Sequence, residues 1–104
     1  IIISFAEHNG AYTTAFKNIF DWISRLEKIV WCNKPLFLLA TSAGVRGAQT
    51  VLELAHARLS RENPNIPCFS LPSYNENFTE TEGITDEKLL KEFKTALADF
   101  TTQL

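Results

Sequence analysis

Two short segments of this sequence carry residues that could contact a ligand closely. The first runs from Ala6 to Tyr12 and offers a carboxylate, an imidazole, an amide and a glycine, which are Glu7, His8, Asn9 and Gly10. The second is built mainly from small residues, among them Thr41, Ser42, Ala43, Gly44 and Gly47. Small residues let backbone N–H groups approach a flat or anionic ligand. Each segment alone is weak evidence, because a polar residue before a helix is more often only an N-cap.

Both segments gain meaning from the elements that precede and follow them. The apolar run from Ile1 to Ala6 is typical of a fully buried strand. Apolar spacing then predicts a helix from Tyr12 to Trp31, ended by the proline at position 35. A second apolar strand over residues 36–40 leads into the second segment. The helix after it has one apolar face, formed by Ala48, Val51, Leu52, Ala55 and Leu59.

The rest of the chain continues the same alternation. A third strand is predicted from Ile66 to Leu71, residues 72–83 are predicted to be a loop, and Thr85 is predicted to cap a last helix. The buried stripe of that helix is predicted to be Leu89, Leu90, Phe93, Leu97, Phe100 and Leu104. Alternating strands and helices predict an α/β fold with a parallel sheet. Ligands of such sheets bind outside the carboxyl ends of the strands, where both segments would lie.

Composition narrows the function classes. The chain has 104 residues, is 45% hydrophobic and carries a formal net charge of -2, which is typical of one globular domain spanning 1–104. The sequence has no block of basic residues, so we do not expect nucleic acid as a partner. No apolar run reaches the roughly 18 residues that span a bilayer, so no membrane partner is expected. Without a secretion signal we expect a cytoplasmic protein. Cys32 and Cys68 lie far apart with no CxxC spacing, so neither a metal site nor a redox motif is predicted.

The first strand suggests that this domain is larger than the chain. The sequence contains no methionine, and its first strand looks too apolar for the natural edge of a three-stranded sheet. We therefore expect further N-terminal strands, or another copy of the chain, beside the first strand. A processed terminus is the alternative.

The motifs also match a known family in spacing. Three stretches carry the match: Glu7-His8-Asn9-Gly10 followed by Lys17-Asn18-Ile19-Phe20-Asp21-Trp22-Ile23-Ser24, then Thr41-Ser42-Ala43-Gly44-Val45-Arg46-Gly47, then Leu71-Pro72 with Asn77-Phe78 and Ile84-Thr85-Asp86-Glu87. The sequence resembles the NAD(P)H-dependent FMN reductase family of flavodoxin-like flavoproteins, which includes quinone, chromate and azo reductases. The family's Pro-Glu-Tyr is Ala6-Glu7-His8 here, and Val45 and Ala48 stand where glycines are common.

The resemblance implies a fold, a cofactor and a set of binding residues. The fold would be a parallel three-layer flavodoxin-like sheet, with three strands and three helices of a larger doubly wound domain whose phosphate-binding loop lies outside this chain. FMN would be lined on one side by Glu7, His8, Asn9 and Gly10. Its pyrimidine edge would meet backbone N–H groups of Thr41, Ser42, Ala43, Gly44 and Gly47, which would stabilise negative charge on the reduced ring. This chain alone would bind FMN weakly and be inactive.

The resemblance further implies an activity and an assembly. NAD(P)H would be the co-substrate of a ping-pong reaction that passes electrons to a small-molecule acceptor such as a quinone, free flavin, an azo dye or a metal oxyanion. No side chain would act as a catalytic acid or nucleophile. A homo-oligomer, either dimer or tetramer, would form through the first helix, with Lys17, Asp21 and Trp22 in the interface.

Two other functions remain open at this point. One is a flavodoxin-like module that has lost flavin and acts through protein–protein contacts, and a weaker one is an electron-transfer flavodoxin. His8 could tune reactivity because imidazole titrates near neutral pH, but substitution for reasons of shape is the preferred interpretation. His56 lies mid-helix with no His or Cys at metal-ligand spacing, and we expect it to have a structural or surface role rather than to bind a metal.

Overall fold

A computed structural model describes all 104 residues, and its centre is a sheet of three parallel strands. In chain order the elements are β1 (Ile2–Phe5), α1 (Thr14–Leu26), β2 (Phe37–Thr41), α2 (Gln49–Leu59), β3 (Cys68–Leu71), a short α3 (Tyr74–Asn77), β4 (Phe78–Thr79), β5 (Gly83–Ile84) and α4 (Glu87–Thr101). The sheet order is β1-β2-β3, with Phe5 beside Ala40 and Thr41 beside Leu71. The parallel α/β fold is therefore confirmed. None of the helices is both long and apolar enough to span a bilayer.

The sheet separates two apolar layers, because successive side chains of a strand point to opposite faces. On one face, Leu38 and Ala40 of β2 pack with Phe20 of α1 and with α2. All of the predicted apolar positions of α2 are buried there. On the other face, Phe37 packs with Phe100 of α4, their ring centroids 5.6 Å apart. Helices on both faces make the predicted three-layer arrangement.

The first helix is shorter than its apolar spacing predicts. It ends at Leu26, whose side chain is 77% exposed, and Glu27 is extended. The chain then turns through three residues with left-handed backbone, Trp31, Cys32 and Asn33. This turn brings the Trp31 ring against Phe20, 6.0 Å between centroids. The apolar residues after Leu26 thus belong to a turn that folds back onto the core, which helical spacing alone does not distinguish from another helical turn.

The first strand is not fully buried, contrary to the prediction. β1 pairs only with β2, and Ile2 is 57% exposed while Phe5 is buried. The side chain of Ile2 lies on the face that α4 covers elsewhere, since its neighbour in register is Phe37. That face also carries an apolar cavity of about 440 Å³ between the sheet, α4 and the β4–β5 hairpin. β1 is therefore an edge strand, and the apolar face that carries Ile2 is uncovered.

The segment after β3 is more ordered than the predicted loop. It contains α3 and an antiparallel hairpin in which Phe78 pairs with Ile84. The last helix is capped by Asp86, whose carboxylate accepts the Leu89 N–H at 2.9 Å, so the prediction of Thr85 as the cap was wrong. Aspartate there also suits the positive end of the helix. Leu104 was predicted to be buried but is exposed beyond the helix end.

Candidate functional site

Three loops meet at one edge of the sheet, because the carboxyl ends of parallel strands lie side by side. We call them the first loop (residues 6–13, after β1), the second loop (residues 42–48, after β2) and the third loop (residues 72–73, after β3). The two segments singled out from the sequence are the first two loops, with Thr41 at the end of β2. The fold therefore brings them together as predicted.

The tip of the first loop is a tight turn. His8 and Ala11 exchange both of their backbone hydrogen bonds, at 3.0 and 3.1 Å. Between them, Asn9 and Gly10 have φ of 53° and 76°. Asn-Gly is the preferred pair for a turn with two left-handed residues, since glycine has no Cβ and asparagine tolerates this region. His8, Asn9 and Gly10 are exposed.

Glu7 is occupied by a structural contact rather than facing open space. Its Oε1 accepts the backbone N–H of Val51 at 2.7 Å, in the first turn of α2. The N-cap residue of that helix is Ala48, whose methyl side chain cannot accept a hydrogen bond. The carboxylate of Glu7 therefore supplies the cap and complements the positive end of the helix dipole. It also ties the first loop to the element that follows the second.

The two glycines predicted to bind a ligand in the second loop have different reasons to be glycine. Gly47 has a φ of 58°, and a Cβ there would lie 2.5 Å from Ser70 Oγ and 2.8 Å from the backbone Cα of Pro72. Its carbonyl accepts the Ser70 hydroxyl at 2.7 Å, so packing against β3 requires this glycine. Gly44 is exposed, and a Cβ there would meet only Ser42 Oγ at an ordinary 3.6 Å. The fold leaves Gly44 free for another purpose.

The third loop and the first residue of α3 hold the second loop in place, and the sequence does not predict these contacts. The N–H of Ser73 donates to the Gly44 carbonyl at 2.9 Å, and the N–H of Tyr74 donates to the Ser42 carbonyl at 3.0 Å. The Thr41 hydroxyl donates to the Leu71 carbonyl at 2.7 Å. These contacts join residues about thirty positions apart in the sequence, and no local sequence motif predicts them. Ser73 and Tyr74 are thus part of the site's framework.

Several backbone N–H groups of the second loop have no hydrogen-bond partner in the protein. Gly44 N–H donates weakly to Ser42 Oγ, and Gly47 N–H donates to the Gly44 carbonyl. The backbone N–H groups of four residues donate to no protein atom: Ser42, Ala43, Val45 and Arg46. The hydrogen bonds from Ser73 and Tyr74 hold the loop that carries these donors. Because Ala43 and Gly44 are small, a flat ligand with oxygen and nitrogen acceptors along one edge could approach them. The pyrimidine edge of a flavin has that chemistry, so this donor set fits FMN.

Burial raises the pKa of two side chains, Tyr12 in the first loop and Cys68 at the start of β3. Burial raises the pKa of the Tyr12 phenol, and the nearby Arg58 guanidinium partly offsets that rise. Tyr12 packs against Phe16 with ring centroids 5.0 Å apart, at the base of the first loop. At the far end of β3, burial raises the pKa of the Cys68 thiol to about 11. No three His, Cys, Asp or Glu side chains cluster as metal ligands.

The predicted interface residues lie on the outer side of α1. Lys17 and Asp21 form an exposed ion pair at 2.7 Å, and Trp22 is 64% exposed. Ile19 and Leu26, two apolar residues of the same helix, are exposed beside Trp22 at helical spacing. We call Ile19, Trp22 and Leu26 the α1 stripe.

Comparison with known proteins identifies the family. The family model described as NADPH-dependent FMN reductase matches residues 1–63, which carry β1, β2 and the first two loops. The chain belongs to the NADPH-dependent FMN reductase family. The resemblance inferred from the motifs is thereby confirmed.

A solved structure supports the same fold. The flavoenzyme NAD(P)H:(acceptor) oxidoreductase FerB from Paracoccus denitrificans aligns over 96% of this chain with a TM-score of 0.68 and 25% sequence identity. The alignment covers 58% of the FerB chain, so this chain spans little more than half of that protein's length. No curated protein matches the sequence.

Proposed function

We propose that this protein is an FMN-dependent NAD(P)H oxidoreductase that passes electrons to a small-molecule acceptor. One observation carries the proposal, namely the unused N–H groups of the second loop, held by the third loop at the carboxyl edge of the sheet. Family membership supports it, because this loop lies within the region that matches the FMN reductases. The description of FerB as an NAD(P)H:(acceptor) oxidoreductase supports the reaction class.

The residues of the second loop would bind and orient the ring rather than react. Bound FMN supplies the hydride chemistry. N–H groups of Ser42, Ala43, Val45 and Arg46 would donate to the pyrimidine edge, where negative charge develops on reduction. Because the loop is already fixed by Ser73 and Tyr74, these donors need little rearrangement when charge appears. Gly47 serves by keeping the loop against β3.

The first loop would lie on one side of the ring. His8, Asn9 and Gly10 form its exposed tip, and the left-handed turn fixes the direction in which that tip points. Glu7 would act as a positioning residue, since its contact with Val51 N–H locks the first loop to α2. None of these side chains is needed as a general acid or a nucleophile.

The acceptor and the order of steps are a finer part of the proposal. We propose a ping-pong reaction in which NAD(P)H leaves before a quinone, flavin or similar acceptor binds. Steady-state rates at several fixed acceptor concentrations would then give parallel double-reciprocal lines. Intersecting lines would contradict the ping-pong order while leaving the flavoenzyme proposal intact.

We also propose that this chain is part of a longer flavodoxin-like domain that includes a phosphate-binding loop. The uncovered face of β1, with Ile2 exposed, and the adjoining apolar cavity of about 440 Å³ support additional polypeptide there. So does the longer FerB chain. On this proposal the chain alone binds FMN weakly, because charge-assisted phosphate contacts are among the strongest hydrogen bonds.

We propose a homo-oligomer assembled through the α1 stripe. Ile19, Trp22 and Leu26 form a contiguous exposed apolar face, which is a common mark of protein interfaces. The exposed Lys17–Asp21 pair lies on another side of α1 and would belong to the polar rim of a wider interface. Whether the assembly is a dimer or a tetramer is set by surfaces beyond this stripe.

Flavin titration tests the main proposal. FMN is titrated into the 104-residue chain and into the full-length product of its gene, and flavin fluorescence is followed. We expect tight binding by the full-length protein and a Kd at least tenfold weaker for the chain. No binding by either protein would refute the reductase proposal and favour the flavin-free interaction module.

A variant localises the site within the second loop. Gly44→Val in the full-length protein should weaken FMN binding at least tenfold, because the fold tolerates a side chain at Gly44 but a bound ring would not. Ala98→Val, on the exposed side of α4, is the matched control and should leave binding unchanged. Equal Kd values for Gly44→Val and the wild type would remove the second loop from the site.

A further inference from the structure

Arg46 is an unpaired cation at the tip of the second loop. The ion pairs of the structure are Lys17–Asp21 and Arg58–Glu62, and Arg46 is in neither. Its guanidinium makes one hydrogen bond, from Nη2 to the Thr50 hydroxyl at 2.8 Å. A guanidinium has five N–H donors, so most of them are free. Arg46 is exposed, and these donors are accessible to a ligand.

The neighbouring carboxylates do not neutralise Arg46. Glu7 is bound to the Val51 N–H in the first turn of α2. Glu53, one turn further along that helix, accepts the Gln49 side-chain amide at 3.2 Å. The carboxylate of Glu7 already occupies the N-terminus of α2. The group near the second loop that can still attract an anion is therefore the guanidinium of Arg46.

The direction of the side chain separates it from the ring site. The hydrogen bond to Thr50 holds the guanidinium along the first turn of α2. The backbone N–H groups that would meet the flavin lie in the loop before that helix. An anionic group on a ligand that reaches from the second loop to the first turn of α2 would therefore meet this guanidinium.

We propose that Arg46 binds the 2′-phosphate of NADPH and makes the enzyme prefer NADPH to NADH. The inference rests on the proposed reductase function. The 2′-phosphate is the one chemical difference between the two nucleotides, and an arginine fork matches phosphate oxygens with two parallel, charge-assisted hydrogen bonds. The N–H groups proposed to meet the flavin ring would contact neither the ribose nor its phosphate, so selectivity would need a separate cation.

Kinetics with the two nucleotides test the assignment in the full-length FMN-loaded protein. Arg46→Gln should lower kcat/KM for NADPH by about tenfold to a hundredfold, the usual range for losing a hydrogen bond to a charged group. The value for NADH should fall by much less, because the variant retains the backbone N–H of residue 46 and changes only the side chain. Arg46→Lys should fall between, because it keeps the charge but loses the fork. Arg61→Gln, which removes an exposed, unpaired arginine beyond the end of α2, is the matched control.

A binding measurement gives a second readout that needs no turnover. Calorimetry should detect 2′,5′-ADP binding to the wild type more tightly than 5′-AMP, and Arg46→Gln should abolish the difference. If Arg46→Gln lowered kcat/KM for NADPH and NADH by the same factor, the assignment would be overturned. The reductase proposal would still stand in that case, provided that the wild type binds FMN. Absence of FMN binding by the full-length wild type would overturn both.

Discussion

Replacing Gly47 by alanine tests how the second loop is held against the sheet. Gly47 has left-handed backbone with a φ of 58°, which costs an L-residue about 1–2 kcal/mol. Its added Cβ would also lie 2.8 Å from two backbone atoms of Pro72, and overpacking of this kind costs about 1–3 kcal/mol. We therefore expect Gly47→Ala to lower the free energy of unfolding by about 2–5 kcal/mol.

Gly83→Ala is a matched control, because it separates the backbone cost from the close approach. Gly83 has a similar φ of 73°, but nothing lies within 4 Å of its Cβ position. We expect a loss of about 1–2 kcal/mol there, from the left-handed backbone alone. The difference between the two variants measures the contact of the second loop with the residues after β3.

Urea unfolding followed by circular dichroism measures both variants. A double variant, Gly47→Ala with Ser70→Ala, removes the Oγ atom at 2.5 Å but not the Pro72 backbone, so it should recover little stability. If Gly47→Ala were no more destabilising than Gly83→Ala, the second loop would not pack against β3 as described. The N–H donors of the second loop would then not be held in place by this packing either.

Three further perturbations follow from other contacts. Glu7→Ala should destabilise the protein by about 1–2 kcal/mol in thermal or urea unfolding, since it removes the cap of α2, while Glu7→Gln retains an acceptor oxygen and should lose less; equal stability of the alanine variant and wild type would contradict the capping role. At pH 8 an alkylating reagent should modify the exposed Cys32 rapidly and Cys68 far more slowly, because burial raises the pKa of Cys68 to about 11 and leaves less thiolate. Peptide mass spectrometry measures the two rates, and equal rates would contradict the burial of Cys68. Trp22→Ser should shift the full-length protein toward monomer in sedimentation without weakening FMN binding, and Val45→Ser, which removes an exposed apolar side chain from the second loop, should leave the assembly unchanged.

Elements with one strong local signal were predictable, and those that depend on distant contacts were not. The apolar face of α2 was correct at every position, because helical spacing and burial agree there. The same spacing failed at Leu26, where the chain leaves the helix so that Trp31 can turn back onto Phe20. The hairpin of Phe78 and Ile84 gave no signal, since each of its strands has only two residues.

The sequence by itself determined the family, the parallel sheet and the two loops that gather small and polar residues at its carboxyl edge. These follow from residue types and short-range spacing, which act within a single element or turn. Only the tertiary structure decided what those residues contact. It assigned Glu7 to the N–H of Val51, Gly47 to the space beside Pro72, and the carbonyls of the second loop to Ser73 and Tyr74. Such pairings depend on strand register and on how the helices sit against the sheet, and local spacing contains neither.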